Sequence, residues 1–347
     1  MKAITIYGPC DARMEDIQKP NATGDMLVIK VKRTGVCATD YSIYTGESSF
    51  IRSGEIQFPC RFGHEYSGIV ESVGPEVKNF RPGDRVYTEN FVACGECQAC
   101  QSGDYMGCSD IRSVGTVNCW DGCYAEYMQM PERHVYHLPD ELSMDEGALI
   151  EPASIAYDAF KGVKLSGQDT VVVYGPGAIG MIAAWLAKYY GAGQVIVVGR
   201  NDQKLKHALQ VGADVVINNK KEDAIEKIKQ LTNGKGANLI VETSGAAQAL
   251  RDSLQALAKY GRISVVSFYE RDLDGLSIDP LVLGCKSIVG AAGCFGNAPA
   301  VCEIMRKNPI KLTPVISHHV PFEKCLDVFE NESAYHDTKI KIMVDFE

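Results

Sequence analysis

Four cysteines crowd one short loop. Cys94, Cys97, Cys100 and Cys108 follow a C-x2-C-x2-C-x7-C spacing, and Gly95, Gly103 and Gly107 let that loop fold tightly. Four thiolates make a closed tetrahedral site with no open position, so such a site supports structure and activates nothing. Zinc and an iron-sulfur cluster both accept this ligand set; a group of buried free thiols is the plain alternative. A second set of donors is dispersed. Cys37 lies in Gly35-Val36-Cys37-Ala38-Thr39-Asp40, His64 and Glu65 in Gly63-His64-Glu65, and Glu151 in Ile150-Glu151-Pro152. Singly, each has an ordinary reading as a small buried thiol, a core imidazole or a surface charge. Together they offer thiolate, imidazole and carboxylate. That is the donor set of a catalytic zinc with one place kept for water or substrate.

Gly175-Pro176-Gly177-Ala178-Ile179-Gly180 is a G-x-G-x-x-G. It follows the apolar run Thr170 to Tyr174 and opens an apolar helix, the context a dinucleotide-binding turn requires. Gly175 makes the tight turn, Gly177 lets backbone approach a pyrophosphate, and Gly180 lets helix pack on strand. The N–H groups at Ala178 and Ile179, at the start of that helix, face an anion. The next strand ends at Gly199-Arg200-Asn201, with Lys204 one turn on. An NAD site usually carries an acid at that tip. Here no carboxylate stands there, and Arg200 suits a 2′-phosphate. The expected coenzyme is NADP, with NAD the alternative if Asp202 takes the ribose.

The elements that must position these residues have two textures. Residues 1 to about 150 hold short strand-like runs (Met26 to Val31, Tyr66 to Val73, Arg85 to Tyr87) separated by Gly and Pro turns. From Thr170 the chain alternates. Strands are expected at 170–174, 194–198, 213–217, 238–242 and 262–267, and helices at 178–190, 202–211, 221–231 and 246–258. Such alternation predicts an α/β, doubly wound parallel sheet of the Rossmann kind. The tail reads as helix over 299–307, extended over 313–320, helix over 322–330 and strand over 339–344, and is expected to rejoin the first domain. The 347 residues suit two domains. A net charge of −9, with Lys and Arg scattered, speaks against a nucleic-acid partner. No apolar stretch is long enough for a membrane span and no signal peptide is visible, so the expected location is cytoplasmic. Thirteen cysteines there are metal ligands or free thiols before they are disulfides.

In combination, Gly63-His64-Glu65-Tyr66-Ser67-Gly68, Gly83-Asp84-Arg85-Val86, the four-cysteine loop and the Gly-rich turn occur in the order of a known family. The chain resembles, over essentially its whole length, the zinc-containing medium-chain alcohol dehydrogenases, and within them the sorbitol (L-iditol) and threonine dehydrogenase branch. The resemblance implies a β-rich GroES-like catalytic, zinc-binding domain over 1–153 and 294–347, and a Rossmann coenzyme domain over 154–293. It implies two zinc ions per chain. Cys37, His64 and Glu65 would surround the catalytic one, with Glu151 binding directly or through water. Cys94, Cys97, Cys100 and Cys108 would hold the structural one. It also implies a homodimer or homotetramer.

The implied chemistry is hydride transfer between a secondary alcohol and nicotinamide. Zinc eases loss of the alcohol proton, as it lowers the pKa of bound water to about 7. Thr39 stands where the family has its first proton-relay hydroxyl; a helix cap is its plain reading. Asp40 would orient His64. Ser42 replaces a His that some members use further out. Cys119 and Cys123 are unusual in a loop expected near substrate and are read as packing or lining. Tyr44, Phe50, Trp120 and Phe295 are candidate lining, with Asn118 adding polarity. The expected small-molecule substrate is a polyol, cyclitol or aminocyclitol. L-threonine or a sugar phosphate is the alternative, and a catalytically silent NADP-binding structural or regulatory protein is the reading from a different class.

Overall fold

The strand Met26–Val36 organises the first part of the chain. It pairs antiparallel with Glu65–Val73 on one side and Lys341–Asp345 on the other. The register sets Gly35 opposite Glu65 and Val36 opposite Ile342. Cys37, which follows Val36, and His64, which precedes Glu65, are therefore delivered to the same end of the sheet. In this computed structural model, which describes residues 1–293, 295–335 and 337–347, the sheet runs Ile316–Pro321, Lys341–Asp345, Met26–Val36, Glu65–Val73, Arg85–Thr88, Val135–His137. Tyr127–Pro131 also pairs with Met26–Val36. Ile4, Leu27, Ile29, Phe62, Tyr124, Met128 and Ile342 are buried in its core. Burying one large aliphatic side chain contributes about 1.5–3 kcal/mol.

The second sheet has six strands, all parallel: Val215–Asn218, Gln194–Gly199, Thr170–Tyr174, Ala237–Glu242, Leu257–Val265 and Ser287–Gly290. Its central strands are buried along their length. Strands covered on both faces must be apolar throughout, hence the runs Val171-Val172-Val173 and Val195-Ile196-Val197-Val198. Helices Ala178–Tyr189, Asp202–Gln210, Ala224–Leu231 and Ala247–Ala256 connect them. The helix expected from Lys221 starts later because the Asp223 side chain caps it, accepting from the Glu226 N–H at 3.0 Å.

The chain divides into two units. One comprises Met1–Glu151, Phe295–Lys307 and Ile316–Glu347, the other Pro152–Cys294 and Asn308–Val315. The expected bounds, 1–153 with 294–347 and 154–293, differ mainly at the tail. Asn308–Val315 sits with the parallel sheet: the Trp185 indole N–H donates to the Ile310 carbonyl at 2.7 Å, and Val315 is fully buried. The extended stretch expected over 313–320 begins instead as a 3-10 turn, Thr313–Val315, and becomes strand at Ile316. Pro314 lacks a donor and locks its φ, which suits a turn and not a ladder. Cys294, at the expected boundary, lies outside the described residues. Among the described residues no helix is long and apolar enough to cross a membrane.

Candidate functional site

The sheet end that carries Cys37 and His64 is a donor cluster. Ligand atoms of Cys37, His64 and Glu65 lie within 4.8 Å of one another. Cys37 precedes the helix Ala38–Thr45, and His64 and Glu65 are both buried. The Asp40 carboxylate is wholly buried on the first turn of that helix. Its Oδ2 accepts from the Cys37 N–H at 2.9 Å and from the Tyr124 hydroxyl at 2.7 Å. Its Oδ1 faces His64 Nδ1 at 3.5 Å, and neither atom has another partner. His64 Nδ1 thus faces Asp40, which leaves Nε2 as the nitrogen free to ligate. Burial alone would lower the His64 pKa, but the charges of Asp40 and Cys37 hold it well above its ordinary value. A buried site that stabilises positive charge on imidazole is one that attracts a cation. The three donors fit zinc in type and spacing.

Glu151 stands apart from that trio. It lies on the helix Met144–Asp158, accepts from Asn90 Nδ2 at 3.1 Å, and burial pushes its pKa up to about 7. Thr39 is half-buried on the first turn of its helix, where the cap position belongs to Cys37, so the cap reading of its hydroxyl fails. Ser42 is engaged with the Thr39 carbonyl at 2.9 Å.

Lys341 and Tyr124 are the functional neighbours that sequence reasoning missed. The Lys341 ammonium contacts both Glu65 oxygens at 2.6 Å and donates to the Val36 carbonyl at 3.0 Å. Burial opposes its charge, but Glu65 and Cys37 outweigh burial and raise its pKa. A lysine in an apolar terminal strand was the only signal available. Tyr124 carries no motif at all.

The four-cysteine loop closes as its spacing predicts. Ligand atoms of Cys94, Cys97, Cys100 and Cys108 lie within 4.8 Å of one another, with Cys94 and Cys100 sulfurs 3.8 Å apart. Four sulfurs around one zinc are separated by about 3.8 Å, given zinc–sulfur bonds of about 2.3 Å. The N–H groups of Glu96 and Cys97 point at Cys94 Sγ, each at 3.4 Å, and lower its pKa. Backbone N–H groups of Cys100 and Ser109 bring Cys97 to about 6. Such thiols ionise readily for a metal. Phe295 packs here against Phe91, Tyr105 and His134. It is half-buried against the four-cysteine loop. Tyr44 is buried against Phe329. Asn118, in a left-handed turn conformation, donates to the Ile111 carbonyl, and the Trp120 indole to Gln129.

In the other unit the Gly-rich turn has three different environments. Gly175 has φ +104°, which only glycine adopts freely. A side chain at Gly180 would strike the Gly175 carbonyl, whereas one at Gly177 would meet nothing within 4 Å. Open space at the second glycine is what an approaching phosphate needs. Ala178 and Ile179 begin the twelve-residue helix. Gly199 packs against Pro176, where a side chain would clash, and Arg200 beyond it is exposed. Asn201 caps the next helix by accepting from the Gln203 and Lys204 N–H groups at 2.9 and 3.1 Å. Asp202, the candidate for NAD, is already held by Asn218 at 2.7 Å and Lys221 at 2.6 Å.

A Gly-rich turn on a parallel sheet, joined in one chain to a thiol, a buried imidazole and a buried carboxylate, is the equipment of a metal- and nucleotide-dependent oxidoreductase. Known proteins agree. Residues 23–140 match the alcohol dehydrogenase GroES-like domain and residues 178–306 the zinc-binding dehydrogenase domain. The chain is 30% identical to a sorbitol dehydrogenase of Bacillus subtilis, over 99% of this chain and 97% of that protein. It is 33% identical to an L-threonine 3-dehydrogenase of Bacillus licheniformis, over 95% of each. Among solved structures, 2R,3R-butanediol dehydrogenase from Bacillus subtilis superposes with a TM-score of 0.89 at 27% identity, covering 100% of this chain and 99% of that one. The chain belongs to the zinc-dependent medium-chain alcohol dehydrogenase family.

Proposed function

We propose that this enzyme interconverts a secondary alcohol of the polyol, cyclitol or aminocyclitol type and its ketone, with NADP as coenzyme and two zinc ions per chain. The observation that carries the reading is the Cys37–His64–Glu65 trio, its imidazole and carboxylate buried, with Glu151 and Lys341 around it. Cys37, His64 and Glu65 would hold the catalytic zinc, with Glu151 reaching it directly or through water. When bound, that ion supplies Lewis acidity, which eases loss of an alcohol proton and polarises a ketone. Asp40 keeps His64 turned toward it. The Thr39 hydroxyl takes the proton onward. Lys341 holds the Glu65 carboxylate in place and offsets its charge. Cys94, Cys97, Cys100 and Cys108 would hold the structural zinc.

Gly175, Gly177, Ala178, Ile179 and Gly180 would bind the coenzyme pyrophosphate. Gly199 opens the way to the ribose, and Arg200 with Lys204 would take the 2′-phosphate. The engagement of Asp202 by Asn218 and Lys221 favours this over NAD. The relatives support the dehydrogenase class equally for polyols and L-threonine, so L-threonine is the second reading. We also assign the enzyme to the cytoplasm, since every described cysteine is a free thiol. A homodimer or homotetramer is favoured by an exposed strand at the edge of the parallel sheet, Ser287–Gly290.

The test is a panel of sugar alcohols, inositols, aminocyclitols, L-threonine and sugar phosphates, each with NAD and NADP, on protein whose zinc has been counted. Turnover of polyols or cyclitols with NADP preferred, and two zincs per chain, is the expected result. Turnover of L-threonine alone overturns the substrate class, and a preference for NAD overturns the role given to Arg200. One zinc with no turnover of any alcohol points to the silent alternative.

A further inference from the structure

The buried Glu151 carboxylate takes a hydrogen bond from a side chain that no motif includes. Asn90 Nδ2 donates to Glu151 Oε1 at 3.1 Å. Only the NH2 end of an amide can donate to a carboxylate, so this contact fixes which way the amide faces. The other end is then left over. Asn90 Oδ1 is buried and has no partner among the described residues. A buried acceptor without a partner costs stability, and an apolar side chain of similar size would avoid that cost. Packing therefore does not account for an amide at this position. What the amide does is hold one oxygen of a carboxylate.

The backbone around Asn90 is held on both sides. Asn90 lies between the strand Arg85–Thr88 and the short strand Phe91–Val92, which pairs with Arg112–Ser113. The Glu89 N–H donates to the His134 carbonyl at 3.2 Å, and the Val114 N–H donates to the Asn90 carbonyl at 2.8 Å. The Glu89 carboxylate accepts from the Gly296 N–H, and the Ala93 N–H donates to His134 Nε2 at 3.1 Å. A short side chain on a fixed backbone keeps its amide in one place. Support of this kind is what an outer hydrogen bond needs if it is to orient a metal-binding carboxylate.

We propose that Asn90 is a positioning residue: by donating to Glu151 Oε1 it holds that carboxylate toward the ion that Cys37, His64 and Glu65 would bind. The inference rests on the metal-binding role proposed above for Glu151. A hydrogen bond to one oxygen restricts rotation of the carboxylate. Less freedom is then lost when the carboxylate meets a cation, so the cation is held more tightly. The unpaired Oδ1 is the stability given up for that placement.

The test is a double-mutant cycle on the full chain loaded with zinc: wild type, Asn90→Leu, Glu151→Gln and the two combined. Competition with a chelator gives the affinity of the more weakly held ion. Cobalt(II) put in its place gives a visible spectrum that reports the donors around it. Asn90→Leu is expected to weaken that ion about 10-fold and to shift the cobalt spectrum, while the melting temperature stays level or rises. The combined variant should lose no more affinity than Glu151→Gln alone. A full additional loss in the Glu151→Gln background overturns the proposal, as does a lower melting temperature with unchanged affinity. Asn90→Ala is carried alongside, and failure of both Asn90 variants to fold would make the asparagine structural and defeat the proposal too. Lost affinity in Glu151→Gln with none in either Asn90 variant sinks this proposal alone. No loss in any variant also removes Glu151 from the metal site.

Discussion

At the scale of single residues, the site is governed by who satisfies Asp40. Its carboxylate is wholly buried and relies on the Cys37 N–H and the Tyr124 hydroxyl. Removing a partner from a buried charge is costly. Tyr124→Phe should therefore loosen the orientation of His64 and weaken zinc binding about 10- to 100-fold, the range for lost outer-shell partners. Competition with a chelator reads this directly; an unchanged affinity would show that Tyr124 only packs. Glu151 offers a pH signature. Its ordinary carboxyl pKa is raised to about 7 by burial. In zinc-free protein near pH 6 it is mostly protonated, and a nearby cation would expel that proton. Zinc uptake near pH 6 should thus release close to one proton more than in Glu151→Gln, and the difference should vanish by about pH 8. Titration calorimetry in buffers of different ionisation enthalpy measures it. Equal release by both proteins would place Glu151 outside the metal's influence.

At the scale of elements, the Gly-rich turn separates folding from binding. A side chain at Gly180 would strike the Gly175 carbonyl, while one at Gly177 would enter open space, and Gly177 has an ordinary φ of −86°. Gly180→Ala should cost about 1–3 kcal/mol by overpacking the turn, and lose coenzyme affinity as well. Gly177→Ala should leave the melting temperature nearly unchanged but still block the pyrophosphate. Thermal melts with and without coenzyme distinguish the two. Equal melting losses would mean that the turn is not built as described. The turn was readable from sequence because its residues are contiguous. The occupation of Asp202 was not, because Asn218, at the end of the next strand, and Lys221, just past it, reach back to it. Tyr44 looks like a pocket aromatic by type, yet its surroundings make it core.

At the scale of the whole molecule, the parallel sheet ends on a strand exposed at every residue, Ser287–Gly290. Val282 and Leu283 just before it are 69% and 83% exposed. An uncovered edge with apolar neighbours invites pairing with a second copy. Leu283→Glu combined with Val289→Lys should reduce the light-scattering mass to that of one chain while zinc content stays the same. An unaltered assembly would move the interface elsewhere.

Sequence alone determined the two textures of the chain, the closed four-sulfur loop and the phosphate turn, since each depends on residues within one or two turns of one another. It also named Cys37, His64 and Glu65 as donors by their type. Only the tertiary structure decided that Gly35 lies opposite Glu65, that Lys341 closes on that carboxylate, and that Tyr124 supports Asp40. Those contacts depend on strand register between segments up to 276 positions apart. Register is a property of the whole packed core, not of any local pattern.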